Sequence, residues 1–300
     1  MREKENLQTT KKENHIKGFK FLIGSGLAFS LMSACVKELG DKIPISELVF
    51  ARAGISLIIT RLLLFKNNIN PWGHQKVLLI IRGLIGTLAL FCIFKALTLL
   101  PIATATVIQY IYPTFTAICA YFILKEYVVK RIVFSIILGW LGIILVTQPE
   151  INTNNNVQES IFAISIAILG ALMTSIAYIF VRKLSAKEHP LVIIYYFPLV
   201  SIPLSLPFII KDFVLPTGTD WFFILGIGFF TQVGQLCITE GLRLIPASQA
   251  TSLNYSQVIF SSILGWMFFQ ETITKEIYLG GICVLISTII SMSTTKSSQA

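Results

Sequence analysis

The sequence predicts an all-α polytopic membrane protein, with ten transmembrane helices arranged as two inverted five-helix repeats. Three observations carry that expectation. The first is composition. Of 300 residues, 54% are hydrophobic and 13% charged, with a mean hydropathy of +0.76, whereas soluble domains carry about 25% charged residues. The second is run length. The apolar runs span about 16–23 residues, near the ~20 that cross a hydrocarbon core as a helix. They are continuous, not alternating, which excludes a β-barrel. The third is an echo. LPIATATVIQYIYPTFTAICAYFILKE at 100–126 returns as IPASQATSLNYSQVIFSSILGWMFFQE at 245–271, gap-free at an offset of 145. Pro101/Pro246, Ala105/Ala250, Thr106/Thr251, Tyr110/Tyr255, Phe115/Phe260, Ile118/Ile263 and Glu126/Glu271 are identical pairs.

Charged or Pro/Asn-rich breaks delimit the spans in order. The first, 18–36, follows the basic stretch ending at Lys17. The second, 48–65, opens after Ser46-Glu47 and closes at Lys66. The third, 77–98, lies between Lys76 and the turn before Pro101, and the fourth, 102–124, ends at Lys125-Glu126. The fifth, 132–148, lies between Arg131 and Pro149. The sixth and seventh, 160–180 and 191–210, are separated by Arg182-Lys183 and Pro190. The eighth, 221–239, starts after Asp220. The ninth, 247–269, starts after Pro246 and ends before Glu271. The tenth, 277–292, follows Lys275-Glu276. The longest polar break, PEINTNNNVQES, divides the halves. Residues 1–17 form a solvated basic tail without a signal-peptide pattern. The repeats then occupy 18–148 and 160–292, with a linker at 149–159 and a second tail at 293–300.

Cation placement sets the topology. With the N-terminus in the cytoplasm, inside segments hold Arg2, Lys4, Lys11, Lys12, Lys17, Lys20, Arg61, Lys66, Lys76, Arg82, Lys125, Lys130, Arg131, Arg182, Lys183, Lys187, Arg243 and Lys296. Outside segments hold Lys37, Lys42, Lys95, Lys211 and Lys275. Eighteen against five, with Arg52 uncounted inside span two, places both termini in the cytoplasm. The net charge of +9 is then a loop bias and implies no nucleic acid. Five spans being odd, the second copy enters upside down. Inverted repeats mark transporters with a site near the midplane, between the halves.

The stretch RGLIGTLALFCIFKALTLLPIATATVIQYIYPTFTAICAYFILKE resembles the core of an EamA domain, a five-helix unit of the drug/metabolite transporter superfamily. Its A-L-x-x-L-P turn, its polar Pro-bearing helix and its closing L-x-E carry the resemblance, and EGLRLIPASQATSLNYSQVIFSSILGWMFFQE is similar. The resemblance implies ten helices in two inverted repeats. It also implies a central cavity lined mainly by helices one, three, four, six, eight and nine, with five and ten at the edge. One departure is Val258 at the repeat position of Pro113, which predicts different bending of the two halves.

Polar side chains inside lipid are costly and usually face a bundle interior. Thr106, Gln109, Tyr110 and Pro113 share one face of span four, at spacings of three and four. Thr251, Asn254 and Tyr255 take the same positions in span nine. These residues, with Gln232 and Gln235 of span eight, are candidate substrate contacts through amide, hydroxyl and aromatic groups. The competing reading is interhelical bonding worth ~1 kcal/mol each. Arg52 either meets an anionic substrate group or bonds a carbonyl or Glu47. Lys95 and its repeat counterpart Glu240 are gating or coupling candidates. Each could equally snorkel to its own interface. Pro113 predicts a kink, and Pro198, Pro203 and Pro207 predict an irregular span seven. Gly24/Gly26 and Gly280/Gly281 predict close helix approach. Glu126 and Glu271 are read as helix caps or partners of nearby lysines.

Chemistry other than transport has little to work with. His15, His74 and His189 fall between spans, and no HExxH, GxSxG or P-loop occurs. Cys35, Cys92, Cys119, Cys237 and Cys283 form no CxxC and read as packing residues. The expected protein is not an enzyme and has no cofactor or metal. It is a secondary transporter of a small organic metabolite (amino acid, nucleoside-like or cofactor-like) in a bacterial inner membrane. Its partners would be that substrate, the bilayer and, in a homodimer, a second copy. A channel, or a receptor or scaffold, is the alternative.

Overall fold

The computed structural model describes residues 2–124, 130–153, 157–210, 213–246, 250, 256–271 and 274–292, and every regular element among them is helical. In order these are α1 (Arg2–Leu39), α2 (Ile45–Lys66), α3 (Lys76–Leu99), α4 (Ile102–Gln109), α5 (Tyr112–Cys119), a π turn (Ala120–Leu124), α6 (Lys130–Thr153), α7 (Val157–Leu184), α8 (Pro190–Ile209), α9 (Asp220–Leu244), α10 (Ser256–Phe269) and α11 (Lys275–Met292). Among the described residues, seven stretches are long and apolar enough to cross a membrane: Ile16–Leu39, Ile45–Lys66, Lys76–Leu99, Thr104–Ile123, Ser160–Leu184, Pro190–Ile209 and Asp220–Leu244. Val133–Gly142 and Ser256–Phe269 are shorter apolar helices. The chain is an all-helical integral membrane protein.

The first helix starts earlier than its apolar run. Residues 2–17 hold four Lys and three Glu and no Gly or Pro, so helix propensity carries α1 back to Arg2. His15 therefore lies in a helix, not a loop. The fourth span does more than kink. Its helix ends at Gln109, Tyr110 and Ile111 form a turn, and α5 restarts at Tyr112. Pro113 is then the second residue of a new helix, where its missing N–H loses no bond. The seventh span corrects an expectation in the other direction. Pro198, Pro203 and Pro207 all lie within the continuous α8. Each removes one backbone bond, and the intervening residues keep the turns closed. His189 caps this helix, its Nδ1 accepting the Leu191 N–H at 3.2 Å.

Helix bounds recur with the sequence offset. Shifted by 145, α2 becomes 190–211 against an observed 190–209, and α3 becomes 221–244 against 220–244. Packing pairs follow suit. The main contacts are α1 on α9, α3 on α7, α2 on α8 and α6 on α11. Close approach is visible at Gly26, where a Cβ would sit 2.7 Å from Ser256 Oγ and 3.1 Å from the Gln257 backbone nitrogen. Gly281 differs from expectation, since among the described residues no atom beyond its chain neighbours and own helix backbone lies within 4 Å of where its Cβ would be.

Both ends of the bundle are bridged. At one end, Lys37 Nζ lies 3.0 Å from Glu271 Oε1 and donates to the Leu100 carbonyl at 3.0 Å. Glu271 Oε1 also accepts the Ile102 N–H at 2.9 Å. The carboxylate thus both pairs with a lysine and caps a helix, α4, which belongs to the other repeat. At the opposite end, Glu188 Oε1 accepts the His74 and Gln75 N–H groups, each at 2.6 Å. There Tyr196 donates to the Trp72 carbonyl at 2.7 Å, and Arg182 to the Leu242 carbonyl at 2.8 Å. Glu126 lies outside the described residues.

Candidate functional site

Between these bridges the helices diverge around an internal cavity. Its walls come from α1 (Phe29, Met32, Ser33), α2 (Arg52), α3 (Arg82, Gly86, Ala89, Leu90, Ile93), the α4–α5 break (Gln109, Tyr110, Tyr112), α7 (Thr174, Tyr178), α8 (Phe197), α9 (Gln235) and α10 (Gln257). Among the described residues, none of α6 or α11 contributes. The lining adds α2 and α8 to the helices that the resemblance implied.

The helix break in span four positions the aromatic side of the site. The break lets Tyr110 and Tyr112 turn inward together, their rings 5.2 Å apart. Tyr112 meets Tyr178 edge-on at 5.5 Å. The Tyr110 hydroxyl donates to Gln257 Oε1 at 2.6 Å, tying the broken helix to α10.

The cationic side is built around Phe197. The Arg52 guanidinium carbon lies 4.8 Å from the Phe197 ring centroid and that of Arg82 lies 5.0 Å from it. Arg52 Nε donates to Thr231 Oγ1 at 2.8 Å, and Arg82 Nη2 to Gln235 Oε1 at 3.2 Å. Arg52 Nη1 and Arg82 Nε and Nη1 are buried without a hydrogen-bond partner. Each arginine is 2% exposed. A desolvated cation–π contact is worth ~2 kcal/mol, and a cation at membrane depth costs about 2.5–3.5 kcal/mol or more, so stacking alone does not settle these charges.

Of the residues singled out from sequence, Arg52, Gln109, Tyr110 and Gln235 meet at this cavity. Thr106 is buried beside it without lining it. Gln232 is also set back, its Oε1 accepting from Ser56 at 2.6 Å. Thr251, Asn254 and Tyr255 lie outside the described residues. Pro113 is buried just past the break. Lys95 is half-buried on α3, away from the lining. Glu240 is also away from it, near the end of α9 and 3.4 Å from Arg243 Nη1. Arg52 does not pair with Glu47, whose Oε2 instead accepts the Val214 N–H at 3.1 Å.

Sequence reasoning missed Arg82, Phe197, Tyr178 and Gln257. Arg82 had been counted as an inner-surface cation. Its burial removes it from the count, which becomes 17 against five. The offset itself held a usable signal. Phe29/Thr174, Ser33/Tyr178, Arg52/Phe197, Leu90/Gln235 and Tyr112/Gln257 are each 145 apart, and both members of every pair line the cavity. The echo marks cavity positions even where residue identity has drifted.

Comparison with known proteins places this architecture. The EamA-like transporter family model matches residues 16–148 and 161–293. The pseudopaline exporter CntI of Pseudomonas aeruginosa is 27% identical over 280 residues, covering 93% of this chain and 96% of that protein. Human solute carrier family 35 member G1 is 26% identical, over 91% of this chain and 78% of its own. The S-adenosylmethionine uptake transporter of Rickettsia prowazekii is 23% identical, over 96% of both. One crystal structure superposes with a TM-score of 0.73 at 15% identity, covering 97% of this chain and 99% of that one, and so shares the fold. With the family model matched twice, once in each half, the chain belongs to the EamA-like transporter family.

Proposed function

We propose that this protein is a secondary transporter. It moves a small organic metabolite across a bacterial inner membrane by alternating access. Its ten helices form two inverted repeats, and both termini are cytoplasmic. The observation that carries this reading is the cavity, an interior polar site to which both repeats contribute at matching positions. Pairs 145 apart line it, as expected for two halves related by an axis in the membrane plane. The α1–α9 contact and its counterpart α7–α3 fit the same relation. The bridges at the two ends supply a physical basis for alternation. In this orientation Lys37–Glu271 closes the outer end and Glu188 with His74 and Gln75 the inner end. Opening one while keeping the other exposes the site to one side at a time. The relatives' names, an exporter of one metabolite and an uptake transporter of another, support an organic solute. Direction is a property of this chain's own gradients.

Arg52, Gln109, Tyr110 and Gln235 are the proposed substrate contacts, with Thr106 and Gln232 behind them and Thr251, Asn254 and Tyr255 on the facing repeat. Pro113 fixes the break that presents Tyr110. Lys95 and Glu240 remain candidates for gating or coupling at opposite ends. Reading the protein as a channel, or as a receptor or scaffold, predicts no saturable exchange.

The test is metabolite profiling by mass spectrometry of cells and medium, with overexpressed wild type and a folded, membrane-inserted Gln109→Ala/Gln235→Ala variant. A compound that shifts across the membrane with wild type, and less with the variant, supports both transport and the cavity. Equal shifts with both proteins overturn the site. No shift in any medium overturns transport.

A further inference from the structure

We infer that the substrate of this cavity is an organic anion, its oxyanion groups bound by Arg52 and Arg82, which both contact the Phe197 ring. The inference rests on the transporter reading of the same cavity and adds the substrate's charge.

Two guanidinium groups, each 2% exposed, share one cavity. Arginine stays charged at any physiological pH, so neither can shed its proton to relieve burial. Among the described residues no carboxylate faces them. The buried carboxylates are committed elsewhere: Glu47 to the Val214 N–H, Glu188 to the His74 and Gln75 N–H groups, Glu271 to Lys37 and the Ile102 N–H. The arginines receive only neutral acceptors, a threonine hydroxyl and a glutamine amide. Three of their nitrogens stay unpartnered: Arg52 Nη1, Arg82 Nε and Arg82 Nη1. An uncompensated buried charge is strongly destabilising. A pair of them held open toward a cavity is a site built for a ligand that brings the counter-charge.

Geometry limits the size of that ligand. Each guanidinium carbon lies within 5.0 Å of the same ring centroid, so the two are no more than about 10 Å apart. One small molecule spans that distance. Arg82 Nε and Nη1 lie on different edges of the guanidinium plane, so each can give its own charge-assisted bond to a carboxylate or phosphate oxygen, while Nη2 is held by Gln235. The Gln109 and Gln257 amides and the Tyr178 ring, also in the lining, suit the neutral polar part of such a solute.

The full-length protein in nanodiscs provides the test. Thermal unfolding is followed at matched ionic strength with succinate, citrate and glycerol 3-phosphate. Succinamide and putrescine serve as neutral and cationic controls. At least one anion is expected to raise Tm saturably, while succinamide and putrescine do not. Carboxylate and phosphate arms separate the two oxyanion chemistries. Arg52→Gln and Arg82→Gln should each weaken the anion response at least tenfold, and the ligand-free Tm should hold or rise, because an uncompensated charge has gone. A merely structural arginine would give a lower ligand-free Tm. If wild type gains as much from succinamide as from succinate, or nothing from any anion, the inference is overturned without recourse to any variant. Proteoliposome exchange separates this from the transport reading. Movement confined to neutral or cationic metabolites leaves transport standing and overturns the anion. Arginine-dependent anion binding with no movement does the reverse.

Discussion

Arg52 stacks on Phe197, 4.8 Å from guanidinium carbon to ring centroid, and the two residues are each other's counterparts at the offset of 145. The contact joins equivalent positions of the two family repeats. At this place in the cavity wall the duplication has diverged in chemistry, a cation in one half and an aromatic ring in the other. Arg82, from a position with no cationic counterpart (Ile227), brings a second guanidinium to the same ring.

Phe197 should matter to both arginines at once. Phe197→Leu removes two cation–π contacts and is expected to destabilise by about 2–4 kcal/mol. Phe197→Trp, which keeps a π face, should recover part of that loss. Gly86→Ala provides a remote version. A Cβ there would sit 2.9 and 3.0 Å from Phe197 ring carbons, so the ring must shift. Thermal unfolding of the three variants in nanodiscs checks the order.

Tyr110→Phe keeps the ring and removes the donor to Gln257 Oε1. A buried acceptor left without this donor costs about 1–3 kcal/mol. The expected outcome is a lower Tm and a raised KM for the transported compound. Tyr110→Phe/Gln257→Leu, lacking both partners, should be more stable than Tyr110→Phe alone.

Glu271 has two duties that substitution can separate. Glu271→Gln keeps an oxygen for the Ile102 N–H and loses the charge facing Lys37, which is 23% exposed in its side chain against 13% for Glu271. Glu271→Ala loses both. Loss of a helix cap costs about 0.5–2 kcal/mol, so Glu271→Ala should lower Tm further than Glu271→Gln. Both should raise the reactivity of a cysteine placed at Thr98 toward an impermeant maleimide, since the bridge at the end proposed to face outward is weakened.

Glu240 tests coupling. It lies away from the cavity and pairs with Arg243 on its own helix. Glu240→Gln is expected to leave the transport rate within about twofold, as for loss of a surface pair, and the pH profile unchanged. A flattened pH profile would make Glu240 the coupling carboxylate.

Much of the fold could be read from the sequence because membrane burial writes itself in continuous apolar runs, and because the echo of Pro101–Glu126 needs no gap. The break at Tyr110 was legible only as a kink, since Pro113 signals a lost bond but not where the preceding helix will stop. Four of the 17 residues that line the cavity stand out in the sequence by polarity within apolar spans: Gln109, Tyr110, Gln235 and Arg52. Arg82 was not, because a cation six residues into a helix reads equally well as snorkelling to the surface. Phe197 was hidden for the opposite reason. An aromatic residue in an apolar run carries no mark until the fold brings two guanidinium groups to its ring.

The most direct measurement is exchange in proteoliposomes holding the purified full-length chain. They are loaded with a bacterial metabolite extract and followed by mass spectrometry, with wild type beside Gln109→Ala/Gln235→Ala and Arg82→Gln. The account predicts saturable movement of at least one organic anion by wild type, slowed at least tenfold in both folded variants. Equal movement by all three proteins, or none by wild type, would contradict it.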